Sequence, residues 1–127
     1  MDTYQLIKDC IAVHKYQIVE EEGSCIVFRY QMNLMQIWAR ENDGHFISIV
    51  LANFAEVTDD NLSDVIMKCH KLNADVKQVK LYTYNNMILA AAEIYYQNED
   101  DIDFQMQIAL KNLILAKVQY YRLERHI

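Results

Sequence analysis

Cys69 and His70 are neighbours in the chain, and a thiol beside an imidazole supplies the groups from which a nucleophile and its base are built. The spacing defeats the pairing. Adjacent residues on a helix point about 100° apart and do not face each other. Cys69 falls instead on the apolar stripe of a predicted helix, the ordinary place for a buried thiol. No oriented base or oxyanion donor accompanies it, so no catalytic residue is assigned. The four histidines (His14, His45, His70, His126) and three cysteines (Cys10, Cys25, Cys69) show no CxxC, HxxH or HExxH spacing. The sequence therefore assigns no metal ligand and no cofactor. Acidic runs stand at Glu20-Glu21-Glu22, at Asp59-Asp60 and at Glu99-Asp100-Asp101 with Asp103. The last has the charge of a calcium loop without its turn glycine or terminal glutamate, and reads as the start of a helix. Gly23 and Gly44 stand apart, so no glycine loop cradles a phosphate.

Aromatic residues carry the stronger signal. The chain holds nine tyrosines, a heavy load for 127 residues, and tyrosine and tryptophan suit binding surfaces because they bury area while a polar tip stays wet. Trp38 shares the polar alternate face of its predicted strand with Gln36 and Arg40. Tyr82 and Tyr84 share one face of another, opposite Val79, Leu81 and Thr83, and Tyr95-Tyr96 close the last strand. These form a candidate partner-binding surface, provided that helices cover only one face of the sheet.

The elements that would position them are legible because proline is absent and both glycines fall in predicted turns. Asp2 or Thr3 caps a first helix running to about Lys15, with Leu6, Ile7, Cys10, Ile11 and Val13 as its apolar face. The Glu20–Gly23 segment breaks the chain between this helix and the strands. Three strand-like runs come next: Cys25–Gln31, Leu34–Arg40 and His45–Phe54, joined by turns at Met32-Asn33 and Asn42-Asp43-Gly44. The third run is apolar on both faces, as a central strand would be. Asn61 is the expected cap of a second helix, with Asp64 completing a capping-box-like pair and Asn73 ending it in a left-handed conformation. Val79–Tyr84 and Met87–Tyr96 pair around Asn85-Asn86.

A long last helix starts near Asp100–Asp103 and runs to about Arg125, with Arg122 and Arg125 at the negative end of its dipole. Ile102, Met106, Ala109, Leu113, Ala116 and Tyr120 make one apolar stripe. Phe104, Ile108, Leu115 and Val118 make a second, nearly opposite. A helix lying on one sheet needs a single stripe of roughly 100°. The second stripe is therefore either wrapped by other helices or covered by another chain, and its four residues join the candidate partner-binding surface.

Composition fits one α+β domain over residues 1–127. Hydrophobic residues make up 53% of the chain and charged residues 24%, which excludes disorder because there is enough apolar surface to offset the entropy of ordering. The net charge of −6 gives no electrostatic footprint for nucleic acid and disfavours anionic lipid. No run approaches the roughly 20 apolar residues of a membrane span, and Met1-Asp2-Thr3-Tyr4 does not begin a secretory signal. Three widely spaced cysteines suggest reduced thiols in the cytoplasm.

The strand trio around Val27-Phe28-Arg29-Tyr30, Ile37-Trp38-Ala39 and 47–54, the helix Asn61-Leu62-Ser63-Asp64-Val65-Ile66-Met67 ending at Leu72-Asn73, and the pair 80–84 with 89–94 together resemble the YbjN-like family. That family of bacterial sensory transduction regulators has the fold of type III secretion chaperones. The resemblance spans almost the whole chain as pattern; it carries no catalytic signature, and a short first loop and few glycines depart from it. It implies an α+β domain of helix, three-stranded antiparallel meander, helix, β-hairpin and long C-terminal helix, commonly paired as a homodimer. In the chaperone branch an acidic dimer holds an unfolded stretch of a protein client in the cytoplasm. The expectation is a non-enzymatic, chaperone-like or regulatory protein with a protein client, and neither nucleic acid nor membrane as partner. The alternative is a small-molecule-binding regulatory module with a pocket between sheet and helices near Trp38 and His45.

Overall fold

The computed structural model describes residues 2–40, 42 and 44–125, without the side chains of Asn53, Glu124 and Arg125. The chain begins with α1 (Thr3–Val13), capped by the Asp2 carboxylate, which accepts the Gln5 backbone N–H at 2.8 Å. Four strands form a meander after it: β1 (Ile18–Glu22), β2 (Cys25–Tyr30), β3 (Asn33–Trp38) and β4 (Phe46–Glu56). Then come α2 (Leu62–Asp75), the hairpin β5 (Val79–Tyr84) and β6 (Met87–Tyr95), a short 3-10 turn (Glu99–Asp101) and α3 (Ile102–Arg125). The order β1-β2-β3-β4-β6-β5 forms one sheet, antiparallel throughout.

The expected α+β order therefore holds, with one strand more. The glutamate run belongs to β1, an edge strand, instead of breaking the chain there. Three two-residue turns set the register of the hairpins. Gly23 opens the first with φ +59°, and Asn85-Asn86 occupy the last with φ 51° and 62°, the left-handed values such turns require. The β2–β3 turn lies at Gln31-Met32, one residue earlier than expected, with φ 47° and 65°. The Asn33 side chain donates to the Gln31 carbonyl at 2.8 Å, bracing that turn. The turn expected at Asn42-Asp43-Gly44 includes Asp43, outside the described residues.

Alternation along the strands sorts the sheet into two unlike faces. Ile26, Phe28, Met35, Ile37, Ile47, Ile49, Leu51, Leu81, Ile88, Ala90 and Ile94 face the core, together with buried residues of all three helices. A bulge between Leu51 and Ala55 shifts the alternation of β4 and brings Phe54 to that same side. All three helices therefore lie on one face, with α3 between its two companions. Towards α1, His14 Nε2 meets Asp103 Oδ1 at 2.8 Å and the Tyr16 hydroxyl donates to Gln107 at 2.8 Å. Towards α2, the buried Lys68 ammonium pairs with Asp64 at 2.7 Å and sits 5.4 Å from the centre of the Tyr120 ring.

Two asparagines act otherwise than expected. Asn61 precedes α2 but makes no side-chain bond to it; its carbonyl accepts the Thr58 N–H at 2.7 Å, and its amide donates to Glu56 O at 3.1 Å, bracing the turn behind. Asn73 lies inside α2, which ends at Asp75, and its side chain clamps β5, accepting Leu81 N–H at 2.6 Å and donating to Leu81 O at 3.0 Å. The first helix stops at Val13, short of Lys15, which takes a positive φ of 60°. The Arg125 side chain lies outside the described residues; Arg122 stands exposed in the last turns of α3.

Candidate partner-binding surface

The sheet has one open face. Its side chains run in rows across the strands, and the pairing gives each row. One row is Glu20, Val27, Gln36, Val50, Ala91 and Lys80; beside it lie Glu22, Cys25, Trp38, Ser48 and Glu93. Further along, Tyr82 stands beside Leu89 and Tyr84 beside Met87, while Phe46 and Tyr95 meet at the other end with ring centres 4.8 Å apart. Tyr82, Tyr84 and Tyr95 are exposed and Trp38 half-buried. The condition set by the sequence, helices on one face only, is met. The strand β4 is central as expected, yet its outward Val50 is covered by strand neighbours and not by a second layer of helices.

At the β1 end of this face a hollow of about 930 Å³ is lined by Glu20, Glu22, Val27, Gln36, Trp38 and Arg40. The Arg40 guanidinium lies 4.9 Å from the centre of the Trp38 ring, a distance at which a cation is attracted to the π-face. At the β5 end, Lys80 and Glu93 form an ion pair that holds the Lys80 ammonium above its ordinary pKa, chiefly through their hydrogen bond. The apolar centre of the face is thus bordered by charge at both ends. Sequence reading finds Trp38, Tyr82 and Tyr84 but passes over Glu20, Glu22, Val50 and Leu89; strand parity finds them once the glutamate run is seen as a strand.

The second stripe of α3 stands on the opposite side of the molecule. The first stripe is buried throughout, whereas Phe104 is 68% exposed, Ile108 39%, Leu115 43% and Val118 40%. These side chains point away from the sheet, along the crest of the helix layer. The seven candidate residues therefore form two surfaces and not one: Trp38, Tyr82 and Tyr84 on the sheet, and the other four on α3.

The pocket expected near Trp38 and His45 is two neighbouring hollows. Trp38 lines the hollow on the open face, while His45 lines an adjoining cavity of about 510 Å³ between the start of α1 and the end of the sheet, the two sharing Gly23, Ser24 and Arg40. Thr3, Tyr4, Ala39 and Tyr96 are among its other lining residues, with His45 stacked on Tyr96 at 4.6 Å. The remaining chemistry candidates are dispersed. Cys10, Cys25 and Cys69 are buried free thiols, each pushed upward in pKa by burial, and Cys10 reaches about 11. Such thiols hold few thiolates and are poor nucleophiles. Among the described residues no three His, Cys, Asp or Glu side chains gather as a metal site; His126 lies outside them.

No protein-family model matches the chain, and no curated protein matches its sequence. Solved structures do share its fold. YbjN from E. coli, a proposed transcription regulator, aligns with a TM-score of 0.73 at 8% identity, over 94% of this chain and 92% of that one. An uncharacterised protein from Methanothermobacter thermautotrophicus aligns at 0.61 with 17% identity, over 96% of each chain. A chain of the HopA1-SchA chaperone–effector complex aligns at 0.60 with 9% identity, over 89% of this chain and 91% of that one. At these identities the likeness is one of fold. The YbjN-like and chaperone-like architecture suggested by the sequence is the architecture observed.

Proposed function

We propose that this is a non-enzymatic interaction protein of the chaperone-like kind, a small acidic dimer that holds an extended segment of a protein client. Its open sheet face is the holding surface. The observation that carries this reading is that face itself: three helices crowd one side of a six-stranded sheet and leave Trp38, Tyr82, Tyr84 and Tyr95 facing outward. Aromatic rings there offer large contact area at low entropy cost, and a free strand edge offers backbone hydrogen bonds to an extended chain. The fold shared with a chain from a chaperone–effector complex supports the same reading. Buried free thiols suit the reducing conditions of a cytoplasm.

Trp38 is the sole tryptophan, so the protein carries its own reporter on the face in question. A panel of unstructured peptides, added to the untagged protein, is expected to shift Trp38 emission saturably for a subset of sequences. The Tyr82→Ala/Tyr84→Ala variant is expected to weaken that binding about thirtyfold or more, the scale of losing two aromatic contacts of about 1–2 kcal/mol each. Unchanged emission across the panel would overturn the proposal. The second reading, a small-molecule-binding regulatory module, is favoured by the cavity beside His45, where Arg40, His45 and two hydroxyl groups converge. A ligand there would perturb His45 and Tyr96 and leave Tyr82 untouched.

A further inference from the structure

The exposed residues of α3 obey a repeat that the two apolar stripes do not account for by themselves. Phe104, Ile108, Lys111, Leu115, Val118 and Arg122 are spaced 4, 3, 4, 3 and 4 apart, and all six are exposed. An average spacing of 3.5 residues is that of a coiled-coil seam, in which a second helix packs alongside at a shallow angle. The seam lies directly opposite the buried stripe. Because α1 and α2 flank α3 at its sides, the seam is the ridge of the molecule and open to a long straight partner.

From this we infer that α3 pairs with α3 of a second copy, antiparallel, about a two-fold axis crossing the helix near Leu113. The inference deepens the dimer of the proposed function by naming its interface. Charge selects both occupant and direction. Asp100 and Asp101 stand just before α3 and Arg122 in its last turns, all exposed on the seam side, whereas Asp103 and Lys117 are engaged by His14 and Asn33 of their own chain. An antiparallel copy sets acids against bases at both ends, and the helix dipoles oppose favourably; a parallel copy sets like against like. Centring the seam on itself then pairs its members. Phe104 meets Arg122 of the partner subunit, cation over ring. Ile108 meets Val118 of the partner subunit, and the Lys111 stem lies along Leu115 of the partner subunit with its ammonium reaching water. The same face repeats on both copies, as a two-fold interface requires.

The test combines mass with cross-linking on the full chain. The unsubstituted protein is expected to scatter light as a dimer, and Leu115→Glu or Ile108→Glu to raise the dissociation constant at least about tenfold. Both sites are exposed, so unchanged circular dichroism should accompany the loss. The native thiols are buried, so a maleimide cross-linker addresses engineered cysteines. In the antiparallel pair, Lys111→Cys lies about 11 Å from its mate and Phe104→Cys about 28 Å, from a rise of about 1.5 Å per residue and about 9 Å between axes. A linker of about 10 Å should therefore join the first variant and not the second. Joining of both would mean a parallel pair, and joining of neither another interface; each overturns the inference, as does a monomeric mass. The peptide response of Trp38 in Leu115→Glu separates the two proposals. Retained binding leaves the client reading standing whatever the mass, and absent binding in a dimeric parent removes that reading alone.

Discussion

At the scale of single residues, titration is set by hydrogen bonds and burial, and it bounds the pH range of stability. The Tyr4 hydroxyl donates to Glu21 at 2.6 Å and Lys8 pairs with the same carboxylate at 3.2 Å. That bond, more than burial, pushes the Tyr4 phenol up to about 12, and the bonds from Tyr4 and Lys8 hold Glu21 below its ordinary 4.5. Burial first, then Asp103 and Asp9, pushes the Cys10 thiol up to about 11. The signs differ. Glu21 contributes stability above its ordinary value, and this is lost as pH falls through its lowered folded value. Tyr4 and Cys10 contribute fully below their ordinary values of 10.0 and 9.0, and this is lost as pH rises towards about 12 and 11. The urea midpoint is expected to stay flat between about pH 5 and 9 and to fall above it. A midpoint that climbs between about pH 9 and 11 would contradict the assignment.

At the scale of elements, turns decide register, and one turn is built from residues ill suited to it. Met32 is 97% exposed with φ 65°, so its side chain contributes no packing while its backbone bears left-handed strain. Met32→Gly is expected to raise stability by about 0.5–1 kcal/mol in urea denaturation, strain relief exceeding the entropy cost of glycine. A loss of stability would mean that Met32 is not strained there. The same turn shows why the sequence is legible only in part. Asn85-Asn86 announces itself, because asparagine tolerates left-handed backbone; Gln31-Met32 carries no such signal, and the expected turn slips by one residue. Glutamate is scarce in strands, so β1 reads as a break, although pairing to β2 overrides that preference. The buried stripe of α3 is plain from its period. Asn61 and Asn73 are recognisable as punctuation, but each bonds a neighbour that only tertiary structure brings near. The candidate surface is legible residue by residue; its division into two opposite faces is not, since periodicity says that a side chain is outward and not which way outward lies.

At the scale of the molecule, a sheet covered on one side must manage both its open face and its two edges. The edge strand β1 carries Glu20, Glu21 and Glu22 in succession. Glu20 and Glu22 border the hollow on the open face, whereas Glu21 turns to Tyr4 and Lys8. A second β1 laid against this edge would set the glutamates of both copies side by side in one ladder. The glutamates therefore act as a guard against indefinite strand addition, the route from an unpaired edge to a fibril. Glu20→Ser/Glu22→Ser, with Glu21 and its clasp intact, is expected to keep the fold but to gain thioflavin fluorescence on prolonged warming, where the parent stays clear. Equal behaviour of the two would assign solubility to the rest of the surface. A sheet left open on one side thus has to be choosy about what extends it, and the glutamates at this margin make a second copy of the same edge the least welcome candidate there.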